Sequence, residues 1–243
     1  MSSRRLTFDQ ERLQTARAWL VHAYTATGLI ATFFAVRALL NELPQQVFVF
    51  LGVALFIDAT DGPFARRWDV KRWTPDFSGR KLDDIVDYIN YTLVPVIFAY
   101  QFGLVSGPET VALPLVLIAS AYGFCREAAK TDDGYFTGFP SYWNVLIFYL
   151  YLLDGAPWLN AAVLTLFAVL VWIPIKYVTW KTDVLQTVTL VTSLAWSVLL
   201  LMLLVQFEQS APLLIWGSLL YPLYHFGLSF YLHFSGHSSS QET

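Results

Sequence analysis

The chain has 243 residues, of which 56% are hydrophobic, 17% aromatic and only 14% charged, with a formal net charge of −3. Soluble globular domains carry about 25% charged residues, so this composition and a mean hydropathy of +0.50 exclude an ordinary soluble domain. A single cysteine and four histidines without ligand spacing also exclude a disulfide framework and a Cys/His metal site, and we expect Cys125 to be a small buried thiol.

The hydrophobic residues fall into eight blocks of membrane-spanning length. We therefore predict an all-α integral membrane protein, a bundle of about eight transmembrane helices that forms a single domain over residues 1–243. The fifth block is short and opens with Pro140 and Ser141. The blocks cover residues 19–40, 44–65, 82–103, 109–128, 137–153, 158–178, 184–206 and 211–233.

The chain begins with a basic stretch, "RRLTFDQERLQTARA" at residues 4–18. We predict that residues 1–18 include a short amphipathic juxtamembrane helix on the anionic membrane surface, and that the transmembrane bundle occupies residues 19–233. The first block then places Thr25, Thr27 and Gly28 close together. Such residues either allow close helix packing or present a hydroxyl to a polar site.

The positive charges predict the orientation of the chain. Fourteen of its 15 Lys and Arg residues precede the first block or lie in the links on the same side, and only Arg37 falls towards the other side. By the positive-inside rule, both termini and the link between the second and third blocks are cytoplasmic.

That link carries acidic residues at both ends. A helix advances about 100° per residue, so Asp58, Asp61, Gly62 and Ala65 share one narrow face of the second block. They predict one helix face that combines carboxylates with small side chains.

The third block repeats this arrangement at its cytoplasmic end. Gly79, Asp83 and Asp87 share one face, whereas Asp84 points away from it. We expect the two acidic faces to meet at the cytoplasmic boundary.

Four carboxylates held together near hydrocarbon repel one another and are costly to desolvate. An all-oxygen ligand set favours hard divalent cations over zinc, and two such ions would balance four acids. The adjacent Arg66 is a candidate phosphate partner. The simpler alternative is a set of boundary carboxylates paired with neighbouring Arg and Lys residues.

Residues 130–144, "KTDDGYFTGFPSYWN", form an unusually aromatic link. An ordinary connector is polar, so we interpret this one as a shaped lid or pocket wall. The alternative is an interfacial aromatic belt.

The pattern D58-x2-D61-G62-x2-A65-R66 … G79-x3-D83-x3-D87 resembles the signature of the CDP-alcohol phosphotransferase family. Twelve residues separate Arg66 from Gly79, where the commonest version of the signature has eight. That spacing and the downstream "GFPSYWN" resemble the bacterial phosphatidylcholine synthase branch.

The resemblance implies roles for the residues of the motif. Asp58, Asp61, Asp83 and Asp87 would bind divalent metal as two Mn²⁺ or Mg²⁺ ions, and Asp87 would also act as general base. The implied substrates are CDP-diacylglycerol and choline, the products phosphatidylcholine and CMP, and the location the bacterial inner membrane, with a homodimer as the expected assembly. The residues expected to contact CDP are Gly62, Ala65, Arg66, Gly79 and Thr25.

Choline carries a quaternary ammonium, which aromatic faces bind well. Tyr91 lies one turn after Asp87 and is expected on the same face. Asp132 and Asp133 are further polar candidates. The residues expected to bind choline are Tyr88, Tyr91, Tyr135, Phe136, Tyr142, Trp143 and Asn144.

Three alternatives remain from the sequence. A sibling enzyme would use serine, inositol or glycerol phosphate as acceptor, and an inactive relative would share only the fold. A transporter would also contain intramembrane acids, but spread along its spans near the bilayer midplane. Here the acids are gathered at one edge beside a basic link, which favours the enzyme.

Overall fold

The computed structural model describes residues 8–126, 135–178 and 186–236, and these residues are almost entirely helical. Arg4, Arg5, Lys130 and Lys181, which contributed to the predicted orientation, lie outside the described residues, as do Asp132 and Asp133. The helices are α1 (Phe8–Ala26), α2 (Gly28–Leu40), α3 (Pro44–Arg67), α4 (Val70–Trp73), α5 (Gly79–Asp87), α6 (Val94–Gln101), α7 (Ala112–Cys125), α8 (Trp143–Leu153), α9 (Pro157–Trp172), α10 (Gln186–Gln206), α11 (Pro212–Ser218) and α12 (Leu220–Gly236).

Shorter elements complete the described chain. A π-helical turn (Tyr88–Leu93) joins α5 to α6, and 3₁₀ turns cover Gly107–Val111 and Phe207–Gln209. Strands β1 (Phe136–Thr137) and β2 (Lys176–Tyr177) pair antiparallel.

Among the residues that the structure describes, five helical stretches are long and apolar enough to cross a membrane. Large apolar side chains such as Val205 and Leu213 are 77% and 85% exposed, as expected for surfaces that face lipid. The prediction of an all-α membrane protein is thus confirmed. The five stretches are Phe8–Leu40, Pro44–Arg67, Gly107–Cys125, Thr187–Gln209 and Pro212–Ser235.

The third, fifth and sixth predicted blocks do not form long, uninterrupted helices. The fifth contains α8, whose 11 residues rise about 16 Å, and the sixth contains α9, whose 16 residues rise about 24 Å. Both are shorter than the hydrocarbon core, which is about 30 Å thick. The third block is divided among α5, the π-helical turn and α6.

The predicted boundary between a juxtamembrane helix and the first span, at residues 18 and 19, is not marked by a break in the helix. α1 runs through it without interruption, and the helix first changes at Thr27, between α1 and α2. The hydroxyl of Thr27 donates to the carbonyl of Tyr24 at 2.6 Å. Phe8–Leu40 contains a candidate span, and a position on the membrane surface for its first turns stays a prediction.

Residues 1–94 form the first of two compact units. Within it, α2 packs closely along α3 and buries Ala31, Ala35 and Ala38, small residues that let helices approach. A Cβ at Gly28 would lie 2.7 Å from Cγ1 of Val86 in α5, so this glycine allows a close helix contact. That contact supports the packing interpretation of the small residues in the first block.

Residues 95–243 form the second unit. α7 packs against α9, and the fully buried Trp143 donates its indole N–H to Ser120 of α7 at 2.6 Å. Phe139 contacts the rings of Trp143 and Phe167, with centroids 5.2 and 4.8 Å away. The described part of the aromatic link therefore packs into the interior of this unit.

Backbone contacts hold the same segment in place. Gly138 donates its N–H to Ile175 at 2.9 Å, and Phe139 donates to Leu170 at 3.0 Å. Gly138 has a φ of +85°, and a Cβ there would lie 2.5 Å from the carbonyl oxygen of Val171, so glycine is required. Cys125, expected to be buried, is instead exposed at the end of α7.

Candidate metal and substrate site

Helices α3 and α5 carry the acidic motif as predicted. α3 continues past Asp58 and Asp61 to Arg67. α5 begins after Ser78, whose side chain accepts the backbone N–H of Lys81 at 3.3 Å, a typical N-cap contact. This start places Asp83 and Asp87 in successive turns of α5.

Three of the four predicted ligands come together. One carboxylate oxygen from each of Asp58, Asp83 and Asp87 lies within 4.8 Å of the other two, and all three residues are half-buried. Such a cluster of like charges favours a cation among the oxygens. Its all-oxygen donor set fits a hard divalent ion. Asp84 lies outside this cluster, with its carboxylate 3.8 Å from Nε of Arg80.

Asp61 belongs to a different contact. It is 6% exposed, and the hydroxyl of Thr25 in α1 donates to its Oδ2 at 2.7 Å. The structure thus separates the four predicted ligands into a cluster of three and a buried neighbour. Thr25, predicted to contact CDP, binds Asp61 here.

Tyr91 contacts the cluster from the π-helical turn that follows Asp87. Its hydroxyl donates to Oδ2 of Asp58 at 2.6 Å, and the residue is buried. Tyr88, at the start of the same turn, is half-buried. Tyr91 was expected beside Asp87 as a choline contact, and its observed partner is the carboxylate of the other helix.

The small residues of the motif also have close neighbours within the chain. A Cβ at Gly62 would lie 3.3 Å from Nη1 of Arg66, so the guanidinium covers this glycine. Ala65 packs against the cluster formed by Ala18, Val21 and Val70. These contacts give both residues a role in packing in addition to the predicted role at CDP.

Four polar side chains close to the motif were not predicted as site residues, and they form two contacts, His22 with Thr74 and Thr32 with Asn90. His22 is buried and lies 2.9 Å from the hydroxyl of Thr74, and a Cβ at Gly79 would lie 2.8 Å from its Cε1. Asn90 accepts the hydroxyl of Thr32 at 2.9 Å. The available signal was helical spacing, since His22 precedes Thr25 by three residues and therefore lies on nearly the same face of α1.

The remaining residues predicted to bind choline lie in the second unit. The Tyr135 ring lies 5.3 Å from Nζ of Lys176, and Phe136 belongs to β1. Tyr142 is 50% exposed, whereas Trp143 is fully buried. The side chain of Asn144 is buried and its Oδ1 accepts the backbone N–H of Val145 at 2.9 Å. Tyr142 is the most exposed of the four aromatic residues in this set.

Several known proteins that are similar in sequence to this chain are named phosphatidylcholine synthase. The chain is 35% identical over 205 residues to a phosphatidylcholine synthase of Pseudomonas aeruginosa, covering 84% of this chain and 86% of the relative. The phosphatidylcholine synthase of Rhizobium meliloti is 33% identical over 229 residues, covering 93% and 95%. That of Borreliella burgdorferi is 37% identical over 175 residues, covering 71% and 75%.

No family model matches the chain. The similarity to these relatives nevertheless covers most of both chains, and it includes the region of the acidic motif whose carboxylates the structure brings together. The chain therefore belongs to the bacterial phosphatidylcholine synthases, a branch of the CDP-alcohol phosphotransferases.

Proposed function

We propose that this protein transfers the phosphatidyl group of CDP-diacylglycerol to choline, which gives phosphatidylcholine and CMP and serves phospholipid biosynthesis. The observation that carries the proposal is the cluster of Asp58, Asp83 and Asp87 in a chain whose relatives are named phosphatidylcholine synthase. An acidic, half-buried cluster on two packed helices suits the handling of a diphosphate, because bound cations offset the phosphate charge.

Asp58, Asp83 and Asp87 are the proposed ligands of a divalent cation, and Asp61 joins them when a second ion is bound. Mn²⁺ and Mg²⁺ are the expected metals, since all the donors are oxygens. When bound, the metal neutralises charge that develops on the departing CMP. Thr25 and Tyr91 orient two of the carboxylates through the hydrogen bonds at 2.7 and 2.6 Å.

Asp87 is the proposed general base. Its carboxylate accepts the hydroxyl proton of choline as the choline oxygen bonds to the phosphatidyl phosphorus and the bond from phosphorus to CMP breaks. A carboxylate is a weak base for an alcohol, so a fixed position next to the acceptor provides most of the benefit.

The CDP moiety is proposed to lie along the small-residue faces of α3 and α5. Arg66 supplies a positive charge beside Gly62, where a phosphate can approach the backbone closely. Thr25 reaches this region through its contact with Asp61. The complete set of proposed CDP contacts is Gly62, Ala65, Arg66, Gly79 and Thr25.

Choline is proposed to bind against aromatic faces. Tyr88 and Tyr91 follow Asp87 directly, and Tyr142 has an exposed ring. Trp143 is completely covered, so it would act on choline only through the positions of its neighbours. Tyr135, Phe136 and Asn144 complete the proposed set.

We propose that all 243 residues form one catalytic domain that crosses the inner membrane eight times. The segments that contain the short apolar helices α8 and α9, and the helical run from Gly79 to Gln101, would form the three passes beyond the five long stretches. Eight passes place both termini on one side, and the positive-inside rule makes that side cytoplasmic. A homodimer is the expected assembly on the family resemblance alone.

The test measures CMP release by purified protein in lipid nanodiscs that contain CDP-diacylglycerol. Choline, serine, inositol and glycerol 3-phosphate are supplied one at a time. We expect release with choline only, its loss on exhaustive chelation, and its return with Mn²⁺ or Mg²⁺.

Asp87→Asn provides the matched control for the chemistry. It removes the base while preserving side-chain size, so we expect turnover to be lost while much of the CDP-lipid affinity remains. Release with another alcohol but not with choline would assign a sibling activity. Full turnover after chelation would exclude the metal-dependent mechanism.

A further inference from the structure

The link between Arg66 and Gly79 folds against α1. It contains the single-turn helix α4, and Val70 at the start of that turn is buried against Ala18 and Val21 of α1. Trp68 and Trp73 pack on the same cluster. The link is therefore attached to α1 on its way from α3 to α5.

His22 makes the polar contact of this attachment. The hydroxyl of Thr74 donates its one proton to the carbonyl of Val70 at 3.0 Å. Nε2 of His22 lies 2.9 Å from the same hydroxyl, and it donates to Thr74 when the imidazole carries its proton on Nε2. This bond connects α1 to the end of α4.

The imidazole ring is also confined by aromatic neighbours. Its centroid lies 4.5 Å from that of Phe77 and 5.6 Å from that of Trp19, and His22 is only 5% exposed. A ring bonded at one nitrogen and packed against two other rings has little freedom to rotate away.

Gly79, the first residue of α5, lies directly on this ring. A Cβ at Gly79 would lie 2.8 Å from Cε1 of His22, which is too close, and 3.1 Å from Nδ1, which is tight. Because Asp83 and Asp87 follow in the next turns of the same helix, a displacement of its first residue moves both carboxylates. Glycine at this position is thus explained by a neighbour within the chain.

We propose that His22 is a positioning residue for the metal site, and that its ring, held by Thr74, fixes where α5 begins and hence where Asp83 and Asp87 lie. This inference rests on the proposed function, in which those carboxylates bind a divalent cation. It assigns the signature glycine Gly79 a steric role toward His22, independent of any contact with CDP.

The test measures Mn²⁺ binding to the purified full chain by electron paramagnetic resonance, without CDP-lipid. The variants are Gly79→Ala, His22→Ala and the double variant. We expect Gly79→Ala to weaken Mn²⁺ binding about tenfold and His22→Ala, which removes the positioning ring, to weaken it less. The double variant should bind Mn²⁺ like His22→Ala and not like Gly79→Ala, because the added methyl group then has no ring to meet. Gly227→Ala is the matched control, since a Cβ there meets nothing within 4 Å, and it should bind Mn²⁺ like the wild type.

A second variant addresses the case in which Gly79→Ala does not fold. Thr74→Val keeps the side-chain volume but removes the acceptor for His22, so it should also weaken Mn²⁺ binding while the protein remains folded by circular dichroism. A folded Thr74→Val with wild-type Mn²⁺ affinity would overturn the proposal.

The other outcomes separate this inference from the proposed function. If the double variant binds Mn²⁺ no better than Gly79→Ala, the glycine does not act through the ring and the inference fails alone. If Gly79→Ala binds like the wild type, it also fails alone. A wild-type protein that binds no Mn²⁺ removes both the inference and the proposed metal site.

Discussion

Two carboxylates of the acidic motif accept hydrogen bonds from hydroxyl groups of residues outside the motif. Tyr91 donates to Asp58 at 2.6 Å and Thr25 donates to Asp61 at 2.7 Å. Hydrogen bonds to ionised acceptors are short and comparatively strong, so they fix the direction in which the carboxylates point. A cation that needs defined oxygen positions depends on these donors.

Tyr91→Phe tests this dependence at the residue scale. The substitution removes the hydroxyl and keeps the ring, so Asp58 loses its orienting donor. We expect Mn²⁺ affinity to fall about tenfold, the lower end of the effect of losing such a partner. Tyr100→Phe is the control, because Tyr100 is 64% exposed on α6. A higher choline KM with unchanged Mn²⁺ affinity would instead support a direct contact between Tyr91 and choline.

The residue scale also shows how far the sequence could predict the site. Helical periodicity correctly placed Asp58 on α3 and Asp83 and Asp87 on α5, because these positions depend only on regular local geometry. Thr25 and His22 reach the motif from a helix more than thirty residues earlier in sequence, and such contacts depend on tertiary packing. The local pattern shows only that Thr25 and His22 share a face of α1, not which residues that face meets.

At the scale of elements, short helices and tight turns explain why the predicted spans differed from the structure. The fifth block was expected to begin at residue 137, but Gly138 and Ser141 both have positive φ, and α8 begins only at Trp143. Hydropathy detects apolar character but not the backbone conformation that ends a helix. Phe139 and Trp143 of this segment pack in the interior of the second unit, so their apolar character does not require a membrane-spanning helix at residue 137.

Two neighbouring substitutions separate packing from choline binding in this segment. Trp143→Ala empties a fully buried site, so we expect a loss of about 3–5 kcal/mol in the free energy of unfolding and a lower Tm. Tyr142→Ala removes a half-exposed ring and should leave Tm nearly unchanged while raising the choline KM about fivefold. The donor KM serves as the internal control for both variants. An equal rise in both KM values for Tyr142→Ala would remove its role at choline.

At the scale of the whole molecule, charge asymmetry predicts the orientation and the lone cysteine can test it. Cys125 is exposed at the end of α7, next to Arg126, and the chain contains no other cysteine. The positive-inside rule places this end of α7 in the cytoplasm. The chain therefore has a single thiol, and the side of the membrane on which it lies is predicted.

A membrane-impermeant maleimide should label Cys125 in inside-out vesicles and not in intact spheroplasts. Cys125→Ser provides the blank. Ser106→Cys in that background places a thiol in an exposed turn before α7, and it should show the opposite pattern. Labelling of Cys125 from outside the cell would reverse the proposed orientation.

The dependence of α5 on α1 limits how this chemistry can be moved into another scaffold. A graft of only the two acid-bearing helices would omit the Thr25 hydroxyl, which donates to Asp61. It would also omit the His22 imidazole, against which Gly79 packs. Thr32, whose hydroxyl reaches Asn90 beyond Asp87, would be lost as well. The smallest transplant that keeps these contacts runs from residue 8 to residue 93, almost the whole of the first unit.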